Sequence, residues 1–435
     1  MRVELVCPAA EDSAFLRSSA MAVLAGLTPP DVRVSLRDDI IKRLDKERDL
    51  DLGADLAAIT VSTKTALRAY ELAAAYRAAG VKVVLGGIHP TALPDEGLQH
   101  ADAVVVGEAE GLWERVIEDT RAGKLQQVYR HESLPEYRRG ARADWRLFRS
   151  RRYIPIYTMQ ASRGCPHDCD FCSVTPFFGH RMRLRDIDDM VGEIRGLDRR
   201  WVMFADDNIV ASPGHARRLF TALRPLKLTW FGQASLQGLG NRETLKLLAA
   251  SGCKGLFIGF ESVNPRSLAG CGKRQNHPER YFETVRMLRD HGISIWASFV
   301  LGLDDDGPDV FERTLEFAQK ARFFMAAFAI QTPYPGTRLY QRLEREGRLL
   351  RPRWWIERGL DYDFPLFRPR RMSPEQLFEG WRWTWRQFYS ARSILARFRP
   401  VSLHSMLSYL PINLLQRSLV NRKIMGGDRF FRRDG

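Results

Sequence analysis

IYTMQASRGCPHDCDFC, residues 156–172, runs from an apolar strand straight into three cysteines. Cys165, Cys169 and Cys172 stand in C-x-x-x-C-x-x-C spacing. A disulfide needs an even number of thiols, and a structural zinc site takes four ligands. His167 offers itself as a fourth, but it lies inside the gap between Cys165 and Cys169, where ring closure is strained. Thiolates are also the usual ligands of iron–sulfur clusters. Three thiolates on a four-iron cluster leave one iron open. An open iron binds a substrate, whereas a closed cluster only carries electrons. Cys7, Cys253 and Cys271 are scattered, form no second spacing pattern and read as buried or incidental thiols.

The strand ahead of the cysteines opens a strand–helix alternation. Further strands read at WVMFADD (201–207), LTWFGQAS (228–235), GLFIGFES (255–262), ISIWASFVLGL (293–303) and FAIQTPYP (328–335). Helices fit between them, such as 242–251 and 278–291. Six β/α units make a partial (β/α)6 barrel, whose catalytic groups belong at the carboxyl ends of the strands. The polar residues at those ends are Asp206, Asp207, Gln233, Ser235, Glu261, Ser262, Asp304 and Gln331.

A separate alternation precedes it. VELVCP (3–8), VRVSL (32–36), LAAITV (56–61), VKVVLGG (81–87) and AVVVG (103–107) read as short buried strands, with helices at 66–79 and 110–121. The expectation is an α/β chain with an N-terminal Rossmann-like, flavodoxin-like parallel sheet over 1–134. A linker (135–152), the partial barrel (153–348) and a C-terminal helical region (349–435) follow. Open sheets bind ligands beyond the carboxyl ends of their strands. Here those stretches hold Thr60, Ser62, Gly86, Gly87, His89, Thr91, Gly107 and Glu108. No G-x-G-x-x-G is present, which argues against a dinucleotide.

The 435 residues carry a net charge of +15, mostly arginine. Nucleic acid, an anionic membrane or simply a solvated arginine-rich surface accounts for such a balance. No appended RNA-binding module is recognisable, so nucleic acid is the least favoured partner. The N-terminus lacks the build of a signal peptide, and no apolar run approaches the roughly 20 residues of a membrane span. The expected location is cytoplasmic, with a further option at the inner face of the membrane.

The signature Cys165, Cys169, Phe171, Cys172 resembles that of the radical S-adenosylmethionine enzymes. FADDNI (204–209), GFESVNP (259–265), FVLGLDDD (299–306) and TPYPGTRLYQRL (332–343) look like the branch with an N-terminal cobalamin-binding domain. So do residues 69–91 and 101–114. The resemblance implies a 4Fe–4S cluster on Cys165, Cys169 and Cys172, with S-adenosylmethionine chelated at the open iron and cleaved to a 5′-deoxyadenosyl radical. It places the methionine ammonium near Asp206 and Asp207. Glu261 and Ser262 would serve the ribose or the ammonium, and Gln233 and Ser235 would line the same cavity. A loop-solvating pair is the plainer reading of the two aspartates, and a buried ion pair that of Glu261. Cobalamin would lie at the first domain's strand ends, where Gly86 and Gly87 let a bulky ring approach the backbone. The D-x-H-x-x-G motif, whose histidine binds cobalt in the wider cobalamin-binding group, is absent. His89 is on the right loop, but the resemblance gives it no cobalt role.

The implied reaction is methylation of an unactivated carbon of a small-molecule, lipid or isoprenoid substrate. A radical cyclase or rearrangement enzyme and a nucleic-acid-modifying enzyme are the alternatives. An external one-electron reductant is required. In the tail, Ser373-Pro374-Glu375-Gln376 predicts a helix to about Phe398, with Trp381, Trp385 and Phe388 packed inward. LHSMLSYLPINLL (403–415) sets Leu403, Met406, Leu407 and Leu410 on one side, ahead of Arg417, Arg422, Lys423, Arg429, Arg432 and Arg433. A core-docking helix and a peripheral membrane contact both fit that pattern.

Overall fold

The computed structural model describes residues 1–10, 15–137, 142–360 and 362–421. Its first layer is a six-stranded parallel sheet of β1 (Arg2–Cys7), β2 (Arg33–Asp38), β3 (Leu56–Thr60), β4 (Lys82–Gly86), β5 (Ala103–Val106) and β6 (Val128–Arg130). The order is β2-β1-β3-β4-β5-β6, the flavodoxin-like arrangement extended by one edge strand. Val3, Leu5, Leu56, Ala58, Val83, Leu85 and Val104 are buried because helices cover both faces. β6 was not expected from sequence. It is three residues long and buries only Tyr129, too little for an apolar run to register.

The second layer starts with β7 (Tyr157–Met159) and a small antiparallel hairpin, β8 (Ser162–Arg163) with β9 (Arg183–Leu184). Then come β10 (Trp201–Phe204), β11 (Thr229–Ala234), β12 (Cys253–Glu261), β13 (Ser294–Leu301) and β14 (Met325–Ile330). Their order, β14-β13-β12-β11-β10-β7, is all parallel and open at both ends. This is the partial (β/α)6 barrel, cored by Phe204, Trp230, Phe260, Phe299 and Phe328.

The C-terminal region closes the β14 edge. Ser373 and Gln376 form the reciprocal capping box, with Gln376 N–H to Ser373 Oγ at 3.1 Å and Ser373 N–H to Gln376 Oε1 at 2.8 Å. Trp381, Trp385 and Phe388 are buried, and both indoles donate to the Phe328 carbonyl. The helix ends at Phe388, short of the expected Phe398. Ser390 caps a new helix, Ala391–Arg397, by accepting from Ser393 N–H. A last helix runs Leu403–Asn421. Arg422, Lys423, Arg429, Arg432 and Arg433 lie outside the described residues. No helix among the described residues is long and apolar enough to cross a membrane.

Glu96 joins the first layer to the C-terminal region. Its carboxylate accepts from Tyr70 Oη (2.9 Å), Trp355 Nε1 (2.9 Å) and Arg353 (2.9 Å), and lies 3.2 Å from His89 Nε2. Burial alone would raise this acid, but the four donors outweigh it and hold its pKa at about 2. A depressed carboxylate stabilises above its unfolded pKa of about 4.3 and loses that contribution as pH falls toward the folded value. Acidification from about pH 5 to pH 2 is therefore expected to loosen this contact and red-shift the emission of the buried Trp355. Glu96→Gln should lack that component of the titration. Identical acid titrations in the two proteins would refute the assignment.

Candidate functional site

The cysteine loop leaves the carboxyl end of β7 and is held from three sides. Gly164, at φ +90°, turns the chain under the hairpin, and a Cβ there would meet the Arg181 carbonyl at 2.4 Å. Behind the loop, Gly272 (φ +77°) packs its backbone on Asp168, where a Cβ would lie 2.4 Å from the carbonyl oxygen. Asp170 N–H donates to the Cys271 carbonyl (3.0 Å), and Leu339 N–H donates to the Asp170 carbonyl (2.9 Å). The Arg342 guanidinium donates to Asp170 Oδ2 at 2.9 Å and also pairs with Asp304.

Cys169 is buried, while Cys165 and Cys172 are half-buried. Burial raises all three thiols, Cys172 to about 11, so binding a metal must release protons. Val174 N–H points at Cys172 Sγ (3.4 Å), and the Gln275 amide lies 4.0 Å from Cys169 Sγ. Such donors to sulfur tune iron–sulfur clusters. Among the described residues, no three His, Cys, Asp or Glu side chains converge to hold a single metal ion. A cluster needs no such point, because each thiolate meets its own iron. The donor set therefore fits a cluster.

Of the strand-end carboxylates, Asp206 is fully buried. It accepts from Ala161 N–H (2.9 Å) and Ser162 Oγ (2.6 Å), which fastens β10 to the exit of β7. Each of its oxygens is engaged in this fastening. Its neighbour Asp207 is different. Asp207 Oδ2 is buried without a hydrogen-bond partner. Burial, and then the charge of Asp206, push its acid up to about 7. Its charge is felt by the Cys165 thiol.

Ser235 exchanges hydrogen bonds with Asn208, accepting at 2.8 Å and donating its N–H at 3.1 Å. Ser262 Oγ accepts from Asn264 N–H (3.0 Å) in a turn. Both hydroxyls are engaged in these local contacts. Gln233 is half-buried, and its carbonyl accepts from Ile209 N–H. Glu261 sits at φ +64° and pairs with the Lys273 ammonium at 2.8 Å, so the buried ion pair is what forms. Burial opposes the Lys273 charge, but Glu261 and the Cys169 thiol outweigh it and hold the ammonium well above its usual range.

The two layers meet at a cavity of about 260 Å³. Thr60, Gly86, Gly87, Gly107 and Glu108 line it from the first layer, and Thr158, Gln160 and Arg163 from the second. A Cβ on Gly107 (φ +86°) would meet nothing within 4 Å, so that rim is open to an approaching ligand. Arg163 crosses from β8 to pair with Glu108 and with Glu110 (2.6 Å), and Arg183 also pairs with Glu108. The Arg163 guanidinium stacks 4.4 Å from the Tyr137 ring centroid. Glu108 is thus a domain fastener as well as a lining residue. Thr91 does not line the cavity. Its hydroxyl donates to the Gly87 carbonyl (2.8 Å) and accepts from Gly107 N–H (2.8 Å), stitching the two rim loops together. Ser62 borders a second cleft of about 220 Å³ with Ile88, Ser173 and Pro335, beside the cysteine loop.

His89 lies inside the first layer rather than on the cavity wall. It is fully buried and engaged by Tyr70 and Glu96. Sequence reasoning missed Arg163, Tyr137, Lys273 and Gln275. Arg163 stood inside the quoted signature stretch, and its placement two residues before the first cysteine was the available signal.

Two parallel α/β layers whose strand ends meet at one cavity, with a three-thiol loop on the rim, define a two-domain cofactor enzyme. Family models agree: a B12 binding domain matches residues 14–117 and the radical SAM superfamily matches 159–318. A domain of unknown function matches 337–417. Bacteriochlorophyllide d C-12(1)-methyltransferase of Chlorobaculum tepidum is 31% identical over 80% of this chain and 77% of its own length. The C-8(2)-methyltransferase of the same organism is 30% identical over 77% and 78%. In fold, the chain is similar to the radical S-adenosylmethionine methyltransferase TsrM from Kitasatospora setae, with TM-score 0.66 at 17% identity over 87% of this chain and 81% of that one. The chain belongs to the radical S-adenosylmethionine enzymes that carry an N-terminal cobalamin-binding domain. It is a carbon methyltransferase of that branch, with a 4Fe–4S cluster, S-adenosylmethionine and cobalamin as cofactors.

Proposed function

We propose that this enzyme methylates a peripheral, unactivated carbon of a tetrapyrrole macrocycle. The observation carrying the substrate class is the pair of relatives at 30–31% identity, both named for bacteriochlorophyllide methylation and matched over more than three-quarters of their length. When bound, the cluster supplies the electron that cleaves S-adenosylmethionine, and cobalamin carries the methyl group.

The chain's own residues divide the remaining work. Cys165, Cys169 and Cys172 hold the cluster in a loop clamped by Gly272 and Arg342. Asp207, a buried carboxyl with an unpartnered oxygen, receives the methionine ammonium. Lys273, held by Glu261, sets a positive charge beside the thiolates. Thr60, Gly86, Gly87 and Gly107 border the cobalamin. Their cavity of about 260 Å³ is small beside the roughly 300–1,000 Å³ of drug-sized sites, so these residues would hold only part of the corrinoid. We place the functional boundaries near residues 134, 152 and 348. An external one-electron reductant delivers the electron, and the enzyme works in the cytoplasm, where thiolates stay reduced.

The test is anaerobic turnover of the cofactor-loaded protein with a chlorophyllide. One S-adenosylhomocysteine and one 5′-deoxyadenosine are expected per methylated product. Both products with an unrelated acceptor and none with the chlorin would overturn the substrate class while leaving the methyltransferase intact.

A further inference from the structure

The last helix leaves much of its apolar side uncovered. A helix on a protein surface normally buries its apolar stripe and shows its polar one. Leu403–Asn421 buries Ser405, Asn413 and Gln416 along with Tyr409, Leu419 and Val420, and shows leucines over its first three turns. Asn413 donates to the Phe324 and Tyr409 carbonyls and accepts from Arg397, and Ser405 Oγ accepts from Val401 and Ser402 N–H, while Gln416 Oε1 is buried without a hydrogen-bond partner. Leu403 is 69% exposed, Leu407 66% and Leu414 54%, with Met406, Leu410 and Leu415 also open to solvent. Leu395 and Phe398, from the preceding helix and its end, are exposed as well. Residues 400–416 contain no Asp, Glu, Lys or Arg. Contiguous exposed apolar surface of this kind marks a contact with another phase or partner.

A second observation names the partner. Beside this helix, Arg289, Arg322 and Arg399 line one narrow cleft with Val401 and Tyr409. Arg286 adds its charge, and Asp290 is the acid that opposes the set. An apolar helix face with a cluster of arginines beside the same helix complements an interface of acyl chains and anionic headgroups. A second copy of the chain, packed isologously, would set one arginine cluster facing its twin.

We infer that the face formed by Leu395, Leu403, Leu407 and Leu414 with the Arg289–Arg322–Arg399 cleft docks this enzyme on an anionic lipid bilayer. The geometry also fixes how. His404 packs edge-on against Trp201, the first residue of β10, and Asn413 binds the carbonyl of Phe324, just ahead of β14. The helix therefore covers the amino ends of the barrel strands, whereas the cysteine loop follows the carboxyl end of β7. Docking holds the catalytic rim away from the bilayer. The surface is an anchor, not the substrate's entrance, and it stands whatever the substrate is.

The test is vesicle flotation of the full-length, cofactor-loaded protein at low salt. Flotation is expected with phosphatidylglycerol-containing vesicles. It should fall at least about tenfold in Leu403→Gln/Leu407→Gln, whose sites are exposed and leave the core intact. Arg289→Gln/Arg399→Gln should bind anionic vesicles no better than pure phosphatidylcholine ones. Cleavage of S-adenosylmethionine should be unchanged in both variants. Wild-type protein that fails to float, or a leucine variant that floats as well as wild type, would overturn the inference. So would a wild-type dimer in sedimentation velocity that the leucine substitutions dissociate without altering flotation.

Discussion

Cys169→Ala is expected to yield a folded protein that can no longer assemble its cluster or form 5′-deoxyadenosine. The side chain is small and buried, and its loop is held by Gly272, Leu339 and Arg342 through contacts that do not involve the sulfur. Loss of the thiol should therefore cost little stability, about 1 kcal/mol. Its effect on chemistry should exceed the roughly 10–100-fold that loss of an outer-shell partner costs at a metal site. Iron and sulfide content, the paramagnetic signal of the reduced cluster and 5′-deoxyadenosine yield measure this directly. Cys253→Ala is the control, a buried thiol of the barrel core that should keep all three. Normal iron content and cleavage in Cys169→Ala would remove the cysteine loop from the mechanism.

Arg163→Ala should produce the largest loss of stability. Arg163 is 8% exposed and spans the two layers, and its removal strands the Glu110 carboxylate and leaves Glu108 to Arg183 alone. Breaking a buried pair from one side costs about 3–5 kcal/mol, because the remaining charge is uncompensated. Arg183 compensates part of this, so the lower end of that range is expected. Arg163→Lys keeps the charge but loses the fork that reaches two carboxylates at once, and should recover only part of the loss. Chemical denaturation measures both, and separation into two transitions would show the layers uncoupling. A variant within about 0.5 kcal/mol of wild type would contradict the fastening role.

The two sheets were legible in sequence because parallel strands buried on both faces write themselves as continuous apolar runs. The cysteine loop was legible because its chemistry is local: three thiols within one short segment. What stayed hidden depends on tertiary partners. Asp206 and Asp207 are neighbours in sequence, and nothing there says which of them the Ala161–Ser162 turn will occupy. His89 sat on a promising loop, but Tyr70, Glu96 and Trp355 come from separate segments to enclose it. Lys273 reads as an ordinary surface lysine until Glu261 and the thiols are folded around it. The helix break at Ser390 was readable as a cap signal, whereas the uncovered apolar side of the last helix was not. Periodicity gives an apolar side, and only packing says whether that side faces in.

The clamps on the cysteine loop carry a consequence for biogenesis. Asp170 and its partner Arg342 lie 172 residues apart. At roughly 5–20 residues per second, a ribosome takes on the order of ten to thirty seconds to cover that distance. Throughout that interval the nascent thiols are translated but lack the Arg342 clamp, which leaves them more open to an iron–sulfur carrier and equally to a stray metal. Once the helix Arg338–Arg345 emerges and locks onto Asp170, entry narrows to the solvent-facing side of Cys165 and Cys172. The pace of translation through nearly the whole barrel thereby sets how long the loading window stays wide.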